Sequence, residues 1–98
     1  MFQWFNAREV KAVGNALAEH VISELNSVTK ADKKRPDDKK DRIVRHIQAR
    51  VSELKQRERL NVYKIAQLGN TFRWRLKEAG VDENYVETLT TLLVARAR

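Results

Sequence analysis

Apolar residues recur every three or four positions along most of this 98-residue sequence, and this period constrains the fold more than any other feature. The clearest run is Val10, Val13, Leu17, Val21, Leu25 and Val28. Because an α-helix has 3.6 residues per turn, this spacing gathers the apolar side chains on one helical face. The chain has only 3 glycines and 1 proline, which is few for a fold with many turns. The sequence therefore predicts an all-α protein.

Capping residues predict where the helices begin and end. Asn6 can cap a first helix, and Pro36 suits the first turn of a second. Asn61 and Asp82 can cap a third and a fourth helix. Gly80 stands where the third helix ends, a position that favours a left-handed residue without a Cβ.

The three later segments carry apolar stripes of the same kind. The stripe residues are Ile43, Ile47, Val51 and Leu54 in the second segment, Val62, Ile65, Leu68, Phe72, Leu76 and Ala79 in the third, and Tyr85, Val86, Leu89, Leu92 and Leu93 in the fourth. About four such helices predict a small helical bundle. We expect a single helical domain over residues 1–98 with a charged loop near residues 29–38. Neither proline nor glycine separates the second and third segments, so one continuous helix is the alternative there.

The sequence lacks the residues on which several kinds of chemistry depend. There is no cysteine, which excludes disulfides, thiol chemistry and cysteine zinc sites. No glycine-rich phosphate loop, nucleophile elbow or HExxH motif is present. His20 and His46 are the only histidines, too few for a zinc site without carboxylates from elsewhere. If the two side chains were in contact, that contact would be sensitive to pH. We therefore expect neither an enzyme nor a cofactor, a metal or a small-molecule substrate.

No stretch approaches the roughly 18 apolar residues that a membrane span requires. The opening residues have neither a basic region nor a long apolar region, so no signal peptide is expected. These features, together with the absence of cysteine, favour the cytoplasm.

The first of two functional hypotheses is contact with another protein. Phe2, Trp4 and Phe5 form an aromatic cluster before the first helix, and Gly14 and Ala18 are small enough to let another helix approach closely. These five residues form a candidate protein interface, and we expect a non-enzymatic protein that contacts a protein partner and self-associates. Alternatively, the aromatic cluster folds back and plugs one end of the bundle, or anchors the chain at a membrane surface.

The second hypothesis is nucleic-acid binding. The formal net charge is +7, and the cations concentrate in the basic segment 30–59. Polar and aromatic side chains of the third helix could contact bases. The candidate residues are Lys33, Lys34, Arg35, Lys39, Arg42, Arg45, Arg50, Gln67, Asn70, Arg73, Trp74 and Lys77. Aspartates interleaved with the cations oppose phosphate binding, so a solvated, self-neutralised segment is the competing interpretation.

Overall fold

The computed structural model describes residues 7–27, 36–57 and 59–98. Within these residues the secondary structure is entirely helical: α1 (Ala7–Asn26), α2 (Pro36–Arg57), α3 (Val62–Glu78) and α4 (Glu83–Ala97). The predicted all-α bundle is confirmed. The predicted helix start at Pro36 is confirmed, so residues 36–38 of the segment near 29–38 are helical, and residues 29–35 lie outside the described residues. The second and third segments form two helices rather than one continuous helix.

The predicted caps at Asn61 and Asp82 are confirmed. The Asn61 side chain accepts a hydrogen bond from the Lys64 backbone N–H at 2.8 Å. The Asp82 carboxylate accepts one from the Tyr85 N–H at 3.1 Å. Each cap satisfies a backbone donor that lacks a partner within the helix. Asn61 thus determines where α3 begins, although neither glycine nor proline separates the two helices.

The turn between α3 and α4 depends on Gly80, which adopts a positive φ of 80°. Its N–H donates to the Lys77 carbonyl at 3.0 Å, and the Val81 N–H donates to the Leu76 carbonyl at 3.1 Å. This pair of bonds is the Schellman motif, and Val81 packs against the core just beyond it. The predicted role of Gly80 is therefore confirmed, and the turn brings α4 back along α3.

The most extensive helix pairing joins α1 to α3 rather than to its neighbour α2. Gly14 lies beside Leu68 and Thr71, and Glu19 hydrogen-bonds Arg75 further along both helices. The two helices therefore run in the same direction. Within the described ranges, α2 and α3 make no direct packing contact and lie across the bundle from each other.

The fourth helix completes the bundle by packing between α3 and α2. It runs parallel to α2, because Lys40 lies over the Tyr85 ring and Arg96 hydrogen-bonds Ser52. It runs antiparallel to α3, because Gly69 lies beside Val94 and Arg73 hydrogen-bonds Glu87. The contact between α1 and α2 is the sparsest of the four sides. Those two helices run antiparallel, since His20 meets His46 and Glu24, one turn further along α1, pairs with Arg42, one turn earlier in α2.

The core draws on all four helices. Its buried apolar residues are Val10, Leu17, Ala18, Val21, Ile43, Ile47, Val51, Leu54, Leu68, Phe72, Leu76, Val86, Leu89, Leu93 and Ala97. Most predicted stripe residues are buried or half-buried. The prediction was wrong for Val62, which is 84% exposed, and for Ala79, because these residues lie at the two ends of α3. None of the described helices combines the length and apolarity that crossing a membrane requires.

Candidate protein-binding face

Two large aromatic side chains on α3 point into solvent. Tyr63 is 63% exposed and Trp74 is 64% exposed. Gln67 and Asn70 lie between them on the same helix, half-buried and exposed respectively. At about 100° per residue these four positions fall within a sector of about 60° on the side opposite the buried Phe72. We call Tyr63, Gln67, Asn70 and Trp74 the α3 stripe.

The α3 stripe carries no formal charge and is ordered at one end by a hydrogen bond. The Gln67 amide donates to the Tyr63 hydroxyl at 3.1 Å. The distance from Tyr63 to Trp74 along the axis is about 16 Å at 1.5 Å per residue. The stripe thus offers two rigid aromatic groups, separated by hydrogen-bonding amides, to whatever lies against it.

Cations beside the stripe are paired with carboxylates of neighbouring helices. Arg73 hydrogen-bonds Glu87 of α4 at 3.2 Å, and Lys77 lies 3.9 Å from both Glu83 and Glu87. On the other flank, Arg75 binds Glu19 of α1 through Nε at 2.7 Å. The predicted nucleic-acid residues Arg73 and Lys77 therefore face carboxylates, which reduces the positive potential around Trp74.

Gly14 and Ala18 were predicted to receive another helix, and Gly14 faces α3 of the same chain. A Cβ at Gly14 would lie 3.1 Å from the Leu68 carbonyl oxygen and 3.1 Å from the Thr71 Cβ. Ala18 is fully buried. The close approach that the small size of Gly14 permits is intramolecular, so a protein interface using Gly14 would require α1 and α3 to separate.

The remaining predicted nucleic-acid residues of the described chain lie on α2, across the bundle from α3. Lys39 hydrogen-bonds the Ser27 carbonyl, Arg42 pairs with Glu24 at 3.5 Å and Arg50 pairs with Glu53 at 3.3 Å. Arg45 is exposed. The structure therefore does not bring the α2 cations and the α3 residues together on one face.

Several predicted site residues lie outside the described residues. They are Phe2, Trp4, Phe5, Lys33, Lys34 and Arg35. Their predicted roles, including the aromatic end plug, stay predictions. An apolar groove of about 580 Å³, lined by residues including Leu60, Val62, Ile65 and Val94, lies at the end of the bundle where α3 begins.

The two histidines meet across the sparse side of the bundle. Their rings stack with centroids 3.5 Å apart, beside a groove of about 360 Å³ between α1 and α2. Burial lowers the pKa of His46 below 6.5, with further lowering by His20 and Arg50 and an opposing effect of Glu24. Within the described residues, no three histidine, aspartate or glutamate side chains converge as metal ligands.

Sequence reasoning missed Tyr63 as a member of the exposed face. Gln67, Asn70 and Trp74 were identified, and extending their spacing one turn backwards along the helix reaches Tyr63. The signal was obscured because the neighbouring Val62 was assigned to the apolar stripe of the same helix.

No protein-family model matches the chain, and no significant similarity to a curated protein or to a solved structure was found. The fold and the α3 stripe together define an all-α bundle with an uncharged, aromatic-ended helix face.

Proposed function

We propose that this chain is a non-enzymatic helical protein that works by binding another protein through the α3 stripe. The observation that carries the proposal is the exposure of Tyr63 and Trp74, at 63% and 64%, on one side of one helix. Tyrosine and tryptophan dominate the energetics of protein interfaces because they bury much apolar area at little entropic cost. The absence of cysteine fits a cytoplasmic setting for this contact.

Charge pairing around the stripe favours a protein over a nucleic acid as the partner. A helix that reads bases needs unpaired cations beside it to hold phosphates. Here Arg73, Arg75 and Lys77 each lie against a carboxylate of α1 or α4. Glu83 and Glu87 beside these cations would repel approaching phosphates, whereas they would not repel an uncharged protein surface.

Photo-cross-linking from two positions of the full chain tests the proposal. A photoreactive phenylalanine analogue replaces Trp74 in one variant and Gln56 in a control variant. Gln56 is exposed on α2, across the bundle from the stripe. We expect protein adducts from position 74 at several times the yield from position 56. Circular dichroism confirms that both variants keep the helical content of the unmodified chain.

Other results of this experiment would overturn the proposal. Equal adduct yields from positions 74 and 56, or none from either, would show that the stripe is not an interface. Adducts at position 74 that nuclease treatment removes would establish nucleic-acid binding instead. A gel-shift titration with mixed DNA and RNA at low salt provides the independent check, and we expect no retardation that depends on Trp74.

A further inference from the structure

We infer that the partner of the α3 stripe is a second copy of this chain, with the two α3 helices packed antiparallel about a twofold axis. This inference rests on the proposed function and names the partner for the same face. The twofold axis would pass midway between Gln67 and Asn70. In this register Tyr63 of each copy contacts Trp74 of the other.

The order of residues along the stripe is the same in both directions. It reads aromatic, amide, amide, aromatic, at Tyr63, Gln67, Asn70 and Trp74, with spacings of four, three and four residues. A twofold interface is built from one patch used twice, so each residue must suit the residue at the mirrored position. Antiparallel pairing matches aromatic with aromatic at both ends and amide with amide at the centre, which satisfies this requirement.

Each of these contacts is chemically favourable. Tyrosine and tryptophan rings attract each other in offset or edge-to-face packing. A glutamine amide and an asparagine amide can each donate to and accept from the other. The hydrogen bond between Gln67 and Tyr63 already fixes the amide near the aromatic end of the stripe.

Electrostatics determine where two such chains can meet. Each copy carries a formal net charge of +7, so contact through a basic surface would be repulsive. The α3 stripe is uncharged, and Arg73 and Lys77 beside it are paired with α4 carboxylates. The stripe is therefore a face on which two copies can approach without opposing unpaired charges.

Sedimentation velocity at tens of micromolar tests the association and its location. We expect a dimer for the full chain. Trp74→Ala and Tyr63→Ala should each weaken the association constant by at least about tenfold, because the symmetry removes two contacts per substitution. Val62→Ala is the matched control: it truncates an exposed apolar residue of α3 off the stripe, and it should change the constant by less than about twofold.

The salt dependence of the dimer distinguishes an interface formed by the uncharged stripe from one held together by ion pairs. Since both copies are positive, raising the salt concentration screens their mutual repulsion and should strengthen or leave unchanged the dimer. Dissociation of the dimer by moderate salt would mean that ion pairs hold it together, which contradicts an interface formed by the uncharged stripe.

Spin labels measure the direction of the packing. Glu78→Cys introduces a single thiol at the exposed end of α3 in a chain without cysteine. Antiparallel pairing about the stated axis places the two labelled positions about 30 Å apart, whereas parallel pairing places them about 10 Å apart. The short distance would overturn the antiparallel arrangement.

The remaining outcomes separate this inference from the proposed function. A monomeric full chain that still gives site-specific adducts to a different protein at position 74 overturns the inference and leaves the function standing. A monomeric chain without such adducts overturns both. A dimer that Trp74→Ala does not weaken, or that Val62→Ala weakens equally, shows that the copies meet elsewhere.

Discussion

The imidazole rings of His20 and His46 lie face to face, with their planes 17° from parallel. One ring belongs to α1 and the other to α2, and they meet on the side of the bundle with the sparsest packing. The groups that face the pair are Glu24, 3.9 Å from His20 Nε2, and Arg50 on α2. Arg42 engages the same Glu24 carboxylate at 3.5 Å.

The histidine pair predicts a loss of stability in mild acid. The pKa of His46 lies below 6.5 in the folded protein, so the unfolded chain takes up the proton at a higher pH. The associated stability is therefore complete above about pH 6.5 and is lost as the pH falls towards the folded pKa. Denaturant titrations between pH 7.5 and pH 5 should show a declining free energy of unfolding, with a smaller decline in His46→Gln. Parallel curves for the two proteins would contradict this origin.

The two helical glycines, Gly14 facing α3 and Gly69 facing α4, predict different outcomes on substitution by alanine. At Gly14 a Cβ would press on the Leu68 carbonyl oxygen at 3.1 Å, which is backbone and cannot easily move. We expect Gly14→Ala to destabilise by about 1 kcal/mol, because crowding of about 2 kcal/mol outweighs a helix-propensity gain of about 1 kcal/mol. Denaturant unfolding, monitored by circular dichroism, measures the change.

Gly69→Ala is the matched comparison. There a Cβ would meet a Val94 methyl at 3.0 Å, and that half-buried side chain can shift. The gain in helix propensity of about 1 kcal/mol should offset most of the crowding, leaving the stability within about 0.5 kcal/mol of the starting protein. Equal effects at both glycines would show that backbone proximity at Gly14 is not the deciding factor.

A buried hydroxyl predicts a stabilising substitution in α4. Thr90 is 4% exposed, and its Oγ1 has no hydrogen-bond partner among the described residues. Thr90→Val keeps the shape and removes the desolvated polar atom, so we expect a gain of about 1 kcal/mol in the free energy of unfolding. Thr91→Val, at an exposed neighbour, should change stability by less than about 0.5 kcal/mol. A loss of stability in Thr90→Val would indicate that the hydroxyl is satisfied in solution.

The nucleic-acid alternative makes its own prediction on α2. Charge reversal of Arg42, Arg45 and Arg50 together should abolish any gel retardation while leaving the helical content unchanged. Because Arg42 and Arg50 already pair with carboxylates, most of the effect should come from exposed Arg45. Retardation that survives the triple substitution would exclude this segment as the binding surface.

Local signals accounted for much of the fold. Asn61, Gly80 and Asp82 act within a few residues of themselves, so their caps and turn could be predicted without knowing the tertiary structure. The buried face of each helix could be predicted for the same reason, since it depends on spacing alone. Val62 fails this rule because burial at a helix end depends on which neighbouring element reaches that end.

Which helices pack against each other could not be predicted from the sequence. The small size of Gly14 signalled a close helix contact but not whether the neighbour was another chain or α3. The stacking of His20 on His46 depends on how α1 and α2 pack, which spacing within either helix does not determine. Gln67, Asn70 and Trp74 of the α3 stripe were identified from residue type and Tyr63 was not. The pairing of Arg73 with Glu87 depends on how α4 folds back along α3, which the sequence of α3 does not determine.

The parallel packing of α1 on α3 has a consequence for how the chain is made. The most extensive helix pairing of the bundle joins α1 to α3, which are separated in the sequence by the whole of α2. During synthesis α1 therefore leaves the ribosome before the helix against which Gly14 packs. A fragment ending after α2 would lack the helix against which α1 packs most extensively, so we expect it not to unfold cooperatively.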